Sequence, residues 1–294
     1  MEWIVFIGYY IIYIYENSEM KPKKLIERHE LFIFFTVALV LSWTIWIPMA
    51  LDRLNLIQFK IPIIIGQSIG GLCPLFTLFF LDKISRGTIG AKAIFDQIQL
   101  KGEKKIWLFP AALLLPLLII TGNSINFLFE KEKQFIILKT EMLELYGYGL
   151  ILIIPVLLLL LLFSSPLFEE PCWRGYGLGK LQNRLGKQVG SLLLGTYWWL
   201  WHQPINIANG MQVSVYSYLF MVSQSFIIDS LYNLSNKNLL SAMLAHSSLI
   251  VAYNFIYQLD NPYTLLVFAC CLFTLRIIEW KKKEPSLNLK DQLL

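Results

Sequence analysis

Apolar residues fall in eight long runs separated by short connectors that hold most of the charge. Runs of roughly 17 to 25 apolar residues are long enough to cross a bilayer as helices. The pattern predicts helices over 31–51, 61–81, 106–127, 147–167, 188–208, 212–233, 238–257 and 263–278. The fold class that follows is all-α, a polytopic transmembrane bundle of about eight spans. A further apolar run, 3–15, is about 13 residues and too short to span comfortably. It lacks the basic start and small-residue cleavage site of a secretory signal. Either it is an interfacial helix, or translation begins at Met20, where MKPKKLIERHE leads into the first span as a basic, cytoplasmic start would. The organisation expected is an N-terminal segment 1–30, one membrane domain 31–280 and a charged tail 281–294.

Composition agrees. Of 294 residues, 56% are hydrophobic and 15% charged, with a mean hydropathy of +0.57, whereas soluble chains carry about 25% charged residues. Lysine and arginine are enriched on the cytoplasmic side of membrane proteins. Counted over alternate loops and adjoining helix ends, beginning before residue 31, 20 of the 25 fall on one side and 5 on the other. Both termini are therefore expected in the cytoplasm of a multi-pass cell-membrane protein. The net charge of +5 is explained by orientation and anionic lipid, so no nucleic-acid partner is implied. Cys73, Cys172, Cys270 and Cys271 lie in or beside apolar runs without CxxC spacing, which suggests neither a disulfide framework nor a zinc knuckle. Cys172 is either a thiol nucleophile or, as is commoner, a small packing residue. The connectors 82–105 and 130–144 read as surface helices or as solvated loops, without chemistry.

Chemistry concentrates in FEEPCWRGYGL, 168–178, at the end of the fourth run. An ionised group at the centre of a membrane helix costs about 2.5 to 3.5 kcal/mol on insertion scales, so such groups mark sites. Glu170 and Arg174 are four apart and can pair on one helical face, and Pro171 suits a first turn. Glu169 points about 100° round the helix, given 3.6 residues per turn. One glutamate can thus be held by arginine while the other faces a reactant, in either assignment. The alternative is a helix cap with an ion pair. His202, in GTYWWLWHQP, and His246, in NLLSAMLAHSSLIVAYN, lie inside later runs, whereas His29 is on the basic segment before the first. Glu170, His202 and His246 converging on one cavity would be an inventory for activating water, directly or through a metal. One obstacle is geometric: Glu170 falls near the end of the fourth run and His202 about 14 residues into the fifth, on the order of 21 Å along a helix. They meet only if the fourth segment is longer and kinked at Pro166 or Pro171, or if the fifth starts later.

At these residues the chain resembles the CPBP intramembrane proteases, which include the CAAX prenyl endopeptidases and bacterial proteins linked to bacteriocin processing and immunity. The family pattern EExxxR is present as Glu169, Glu170 and Arg174, followed by Gly175. In FxxxH, Trp198 replaces phenylalanine and His202 is in place. HxxxN begins at His246, but Ile250 stands where asparagine is usual. The likeness covers about 167–254. It implies an intramembrane endopeptidase acting on membrane-associated or lipid-modified substrates, with Glu170 or Glu169 as general base and His202 orienting the water. His246 would stabilise the oxyanion, and Arg174 would position the carboxylate. Asn254, one turn beyond Ile250, with Ser247 and Ser248 nearby, is the candidate substitute donor. No cofactor is required; Glu170, His202 and His246 would suit zinc. Ile250 also admits a catalytically weak or silent relative that binds a peptide or acts as an immunity or scaffolding protein. An ion- or proton-coupled transporter using the same Glu/His set is the third alternative, though the chain lacks the repeated halves common in transporters.

Overall fold

A computed structural model describes residues 22–84, 90–100, 105–130, 137–257 and 261–282. The apolar run 3–15, Met20, the end of the tail and parts of both surface connectors lie outside these. Among the described residues the structure is helical, with one isolated bridge between Leu138 and Ile256. The elements are α1 (Pro22–Arg53), α2 (Ile63–Ile84), α3 (Ala91–Phe95), α4 (Leu108–Glu130), α5 (Thr140–Tyr146) and α6 (Leu150–Leu161). Then come α7 (Ser165–Glu170), a π-helical segment Pro171–Leu178, α8 (Gly179–Leu185), α9 (Lys187–Ala208), α10 (Val215–Leu234), α11 (Leu239–Phe255) and α12 (Pro262–Lys281).

Five stretches are long and apolar enough to cross a membrane: His29–Arg53, Ile63–Ile84, Lys105–Glu130, Leu152–Leu185 and Pro262–Lys281. The chain is a multi-pass membrane protein. The other three apolar runs also form helices, α9, α10 and α11; α10 and α11 are largely buried, while α9 buries one face and exposes another. Ser191 is buried on α9, and Gln224, Ser225, Asp229 and Ser230 on α10. α11 is short at 17 residues and buried along most of its length. α1 packs on α2 and α9, α11 on α4, α6 and α7, and α10 against α9, α11 and α12. Trp46, Trp173, Trp198 and Trp201 are buried in the main core.

Local chemistry sets the helix starts. Ser214 and Ser217 form a reciprocal capping box at α10, and the Asn238 and Asn261 side chains accept from Leu240 and Thr264 backbone N–H groups at α11 and α12. These caps satisfy first-turn donors that hydrocarbon leaves unpaired.

The fourth run departs from expectation. It does not end at 167. The helix breaks at 162–164 and restarts at Ser165 with Pro166 in its first turn. It then continues through the π-helical turns to Leu185, where Gly186 (φ 83°) reverses the chain into α9. Both glutamates therefore lie inside a helix rather than at its end. α8 and α9 pack closely: a Cβ on Gly190 would come within 2.7 Å of the Gln182 backbone nitrogen. This hairpin carries Trp198 and His202 back past Glu169, which removes the 21 Å difficulty.

Candidate active site

Helical spacing makes two rows on α7 and the π-helical segment: Ser165, Glu169 and Trp173, and beside them Glu170 and Arg174. In the first row Ser165 Oγ donates to Glu169 Oε1 (2.7 Å) and Trp173 Nε1 to Oε2 (3.2 Å). Trp198 Nε1, from α9, donates to the same Oε2 at 3.0 Å. In the second row Glu170 Oε1 accepts from Arg174 Nη1 (3.1 Å) and from His246 Nδ1 (2.8 Å). Glu170 Oε2 is buried without a partner among the described residues. Glu169 keeps 3% exposure and Glu170 none.

Arg174 is held from two helices. Its Nε donates to Asp229 Oδ1 (3.0 Å) and its Nη2 to Ser225 Oγ (2.8 Å), both on α10. A guanidinium offers five donors in a fixed fork, and this arrangement uses the fork to tie the π-helical segment to α10. The fork also lies over the Trp198 ring, 5.4 Å from its centroid.

Each imidazole meets Trp198. His246 is edge-on to its ring at 5.6 Å, with Nε2 turned toward Ser165 Oγ at 3.5 Å. His202 is edge-on at 5.1 Å, and its Nδ1 lies 2.8 Å from the Trp198 carbonyl. A carbonyl only accepts, so Nδ1 carries the proton and Nε2 of the neutral ring is an acceptor. His202 is half-buried, and both imidazoles lie within electrostatic reach of Glu169.

Of the residues expected at the site, Glu169, Glu170, Arg174 and His246 are thus brought together, with His202 joined to them through Trp198. Asn254 is not. It is exposed at the far end of α11, where its amide donates to the Ile250 carbonyl at 2.8 Å. Its eight-residue separation from His246 is about 12 Å of helix. Nor does Ser248 supply the missing donor, because its hydroxyl is spent on the Ala245 carbonyl (2.8 Å). Cys172 is fully buried, its thiol 3.3 Å from the Phe168 carbonyl, which is a packing role. Among the described residues no group of three His, Cys, Asp or Glu, the trio Glu170, His202 and His246 included, is arranged to hold an ion; Glu170 Oε1 accepts from a guanidinium and an imidazole N–H, and only Oε2 is without a partner.

Asp229, Ser225, Ser165 and Trp173 were not singled out from sequence. Only Asp229 carried a usable signal, a lone carboxylate within an apolar run. The other three are ordinary residues whose role depends on tertiary geometry.

Residues 151–252 match the family model for type II CAAX prenyl endopeptidases, described as Rce1-like. A CAAX prenyl protease 2 from Methanococcus maripaludis is 33% identical over 103 residues, which cover 32% of this chain and 37% of that protein. The chain therefore aligns with little more than a third of this relative's length. What it is similar to, over the stretch that holds every residue of the candidate site, is the Rce1-like CAAX prenyl endopeptidase family.

Proposed function

We propose that the protein is an intramembrane endopeptidase that cleaves a membrane-associated, lipid-modified polypeptide, of the prenylated CAAX kind that the relative's name indicates, with Glu169 as general base. One observation carries the choice of base: the two oxygens of Glu169 are engaged unequally. Oε2 accepts from two indoles and Oε1 from Ser165 alone. A carboxylate oxygen has about two lone-pair sites, so Oε1 retains one. Glu170 engages one oxygen with Arg174 and His246, and its other oxygen, though without a partner, is wholly buried, whereas Glu169 keeps 3% exposure.

Water on Oε1 gives its proton to Glu169 as its oxygen attacks the scissile carbonyl. His202 Nε2 takes the water's second hydrogen bond and fixes its direction. His246, oriented by Glu170 through Nδ1, presents Nε2 on the Ser165 side, and as the imidazolium it donates to the oxyanion. Collapse returns the proton from Glu169 to the leaving amine. Fixed dipoles of this sort are effective because they need no reorganisation as charge develops. The division of basic residues supports placing both termini in the cytoplasm.

The test is cleavage of a fluorogenic farnesylated CAAX peptide by protein in lipid nanodiscs. Glu169→Gln is expected to lower turnover by at least about a hundredfold with little change in thermal midpoint. Glu170→Gln lowers the midpoint as well, because it weakens a buried ion pair whose rupture costs roughly 3 to 5 kcal/mol. Turnover by Glu169→Gln at the unaltered rate would remove Glu169 as base. Ile250 favours a second reading, a relative that binds the peptide without cutting it; tight binding with no turnover by the unaltered protein decides for that.

A further inference from the structure

Trp198 touches four of the candidate groups at once. Its indole N–H donates to Glu169, its ring meets His202 and His246 edge-on at interplanar angles of 89° and 87°, and Arg174 lies over its face. It is 2% exposed, so its place is fixed by packing. An indole N–H can only donate, and a hydrogen bond to a carboxylate is about twice as strong as one between neutral groups.

We infer that Trp198 is a positioning residue of the site: with Trp173 it ties down Glu169 Oε2, so that Oε1 is the oxygen that takes the proton. The inference rests on Glu169 being the base. A carboxylate can present either oxygen by rotating about its last torsion, a broad and soft coordinate. Ser165 alone does not prevent that rotation, since its hydroxyl can follow either oxygen. Two rigid indoles from different turns of the bundle, at 3.2 and 3.0 Å, do prevent it, because neither ring can move without displacing the core. The ring of Trp198 has a second effect. It stands edge-on to both imidazoles and beneath Arg174, a wall that all three share. A phenyl ring would preserve much of the wall and none of the donor.

Trp198→Phe, measured in the peptide assay beside Glu169→Gln, separates these effects. The expected result is a fall of roughly tenfold or more in kcat, with KM and the thermal midpoint little changed. Trp198→Leu, which removes the wall too, should fall further. Trp199→Phe serves as a control that retains activity: its indole donates to Ser217 on the other face of α9 (3.4 Å). If Trp198→Phe folds poorly, benzothienylalanine at the same position keeps the bicyclic shape without the N–H and reads the same quantity. Unaltered kcat in the donor-free protein while Glu169→Gln is inactive overturns the inference alone. A raised KM at constant kcat also overturns it, since the indole would then contact substrate rather than the base. An active Glu169→Gln overturns the assignment of the base itself.

Discussion

Arg174 is wholly buried with a carboxylate on each side, Glu170 one turn back on its own helix and Asp229 on α10. Removing either partner leaves a desolvated charge, which is far more costly than never having had the pair. Asp229→Ala is therefore expected to lower stability by roughly 3 to 5 kcal/mol, whereas Asp229→Asn, which keeps an acceptor oxygen for Nε, costs less. Thermal unfolding in detergent measures both, and an unshifted midpoint for the alanine variant would contradict the buried geometry. At this scale the charged members of the site were legible in the sequence because ionisable side chains are rare in apolar runs. Glu169, Glu170, Arg174, His202 and His246 all stood out for that reason. Asp229 obeyed the same rule but stood alone, outside any motif. Asn254 was chosen by counting helical turns from Ile250, and the count fails because residue 254 falls on the exposed face of α11, between the buried Ala252 and Phe255. Zinc was suggested by residue types, and the two donors that meet on Glu170 Oε1 were invisible until partners had positions.

The α8–α9 hairpin decides whether Trp198 and Glu169 meet. Its close contact is at Gly190, where a Cβ would press on the backbone of Leu181 and Gln182 at 2.7 to 2.9 Å. Backbone cannot swing aside as a side chain can, so Gly190→Ala should cost about 1 to 3 kcal/mol and reduce cleavage together with the thermal midpoint. A full-rate, fully stable alanine variant would mean that the hairpin opens without consequence. Six of the eight runs read from hydropathy match helices to within about three residues, within the ordinary uncertainty of boundaries, once the short turn before α4 is included; the first helix begins nine residues before its run, at Pro22, with non-helical backbone at His29. The fourth differs because hydropathy falls where polar side chains begin, whereas the helix continues as long as those side chains find partners inside the bundle. The π-helical turns at Pro171–Leu178 leave no mark in periodicity. Such turns are frequent at functional sites, and here they sit between the two glutamates and Gly179.

For the whole molecule, the 20 to 5 partition of basic residues gives an orientation that reporter fusions can check. A fusion at the Gly186 turn should report cytoplasm and one at Asn209 the opposite side; the reverse pattern would invert the bundle. Class and multi-pass character were legible from length and hydropathy alone. That α9 and α10 carry buried polar side chains such as Ser191, Gln224 and Asp229 against the rest of the bundle was not, since all eight runs read simply as apolar. The spacing of the buried charges along the chain has a further consequence, in time. Arg174 and Asp229 are 55 residues apart, and Glu170 and His246 are 76 apart. At a ribosomal rate of 5 to 20 residues per second, Asp229 follows Arg174 by roughly 3 to 11 s. Throughout that interval the guanidinium has a counter-ion four residues away on its own helix, Glu170. The local pair thus serves first as a provisional neutralisation during synthesis, and becomes part of the candidate site only when α10 and then α11 arrive to claim its two ends.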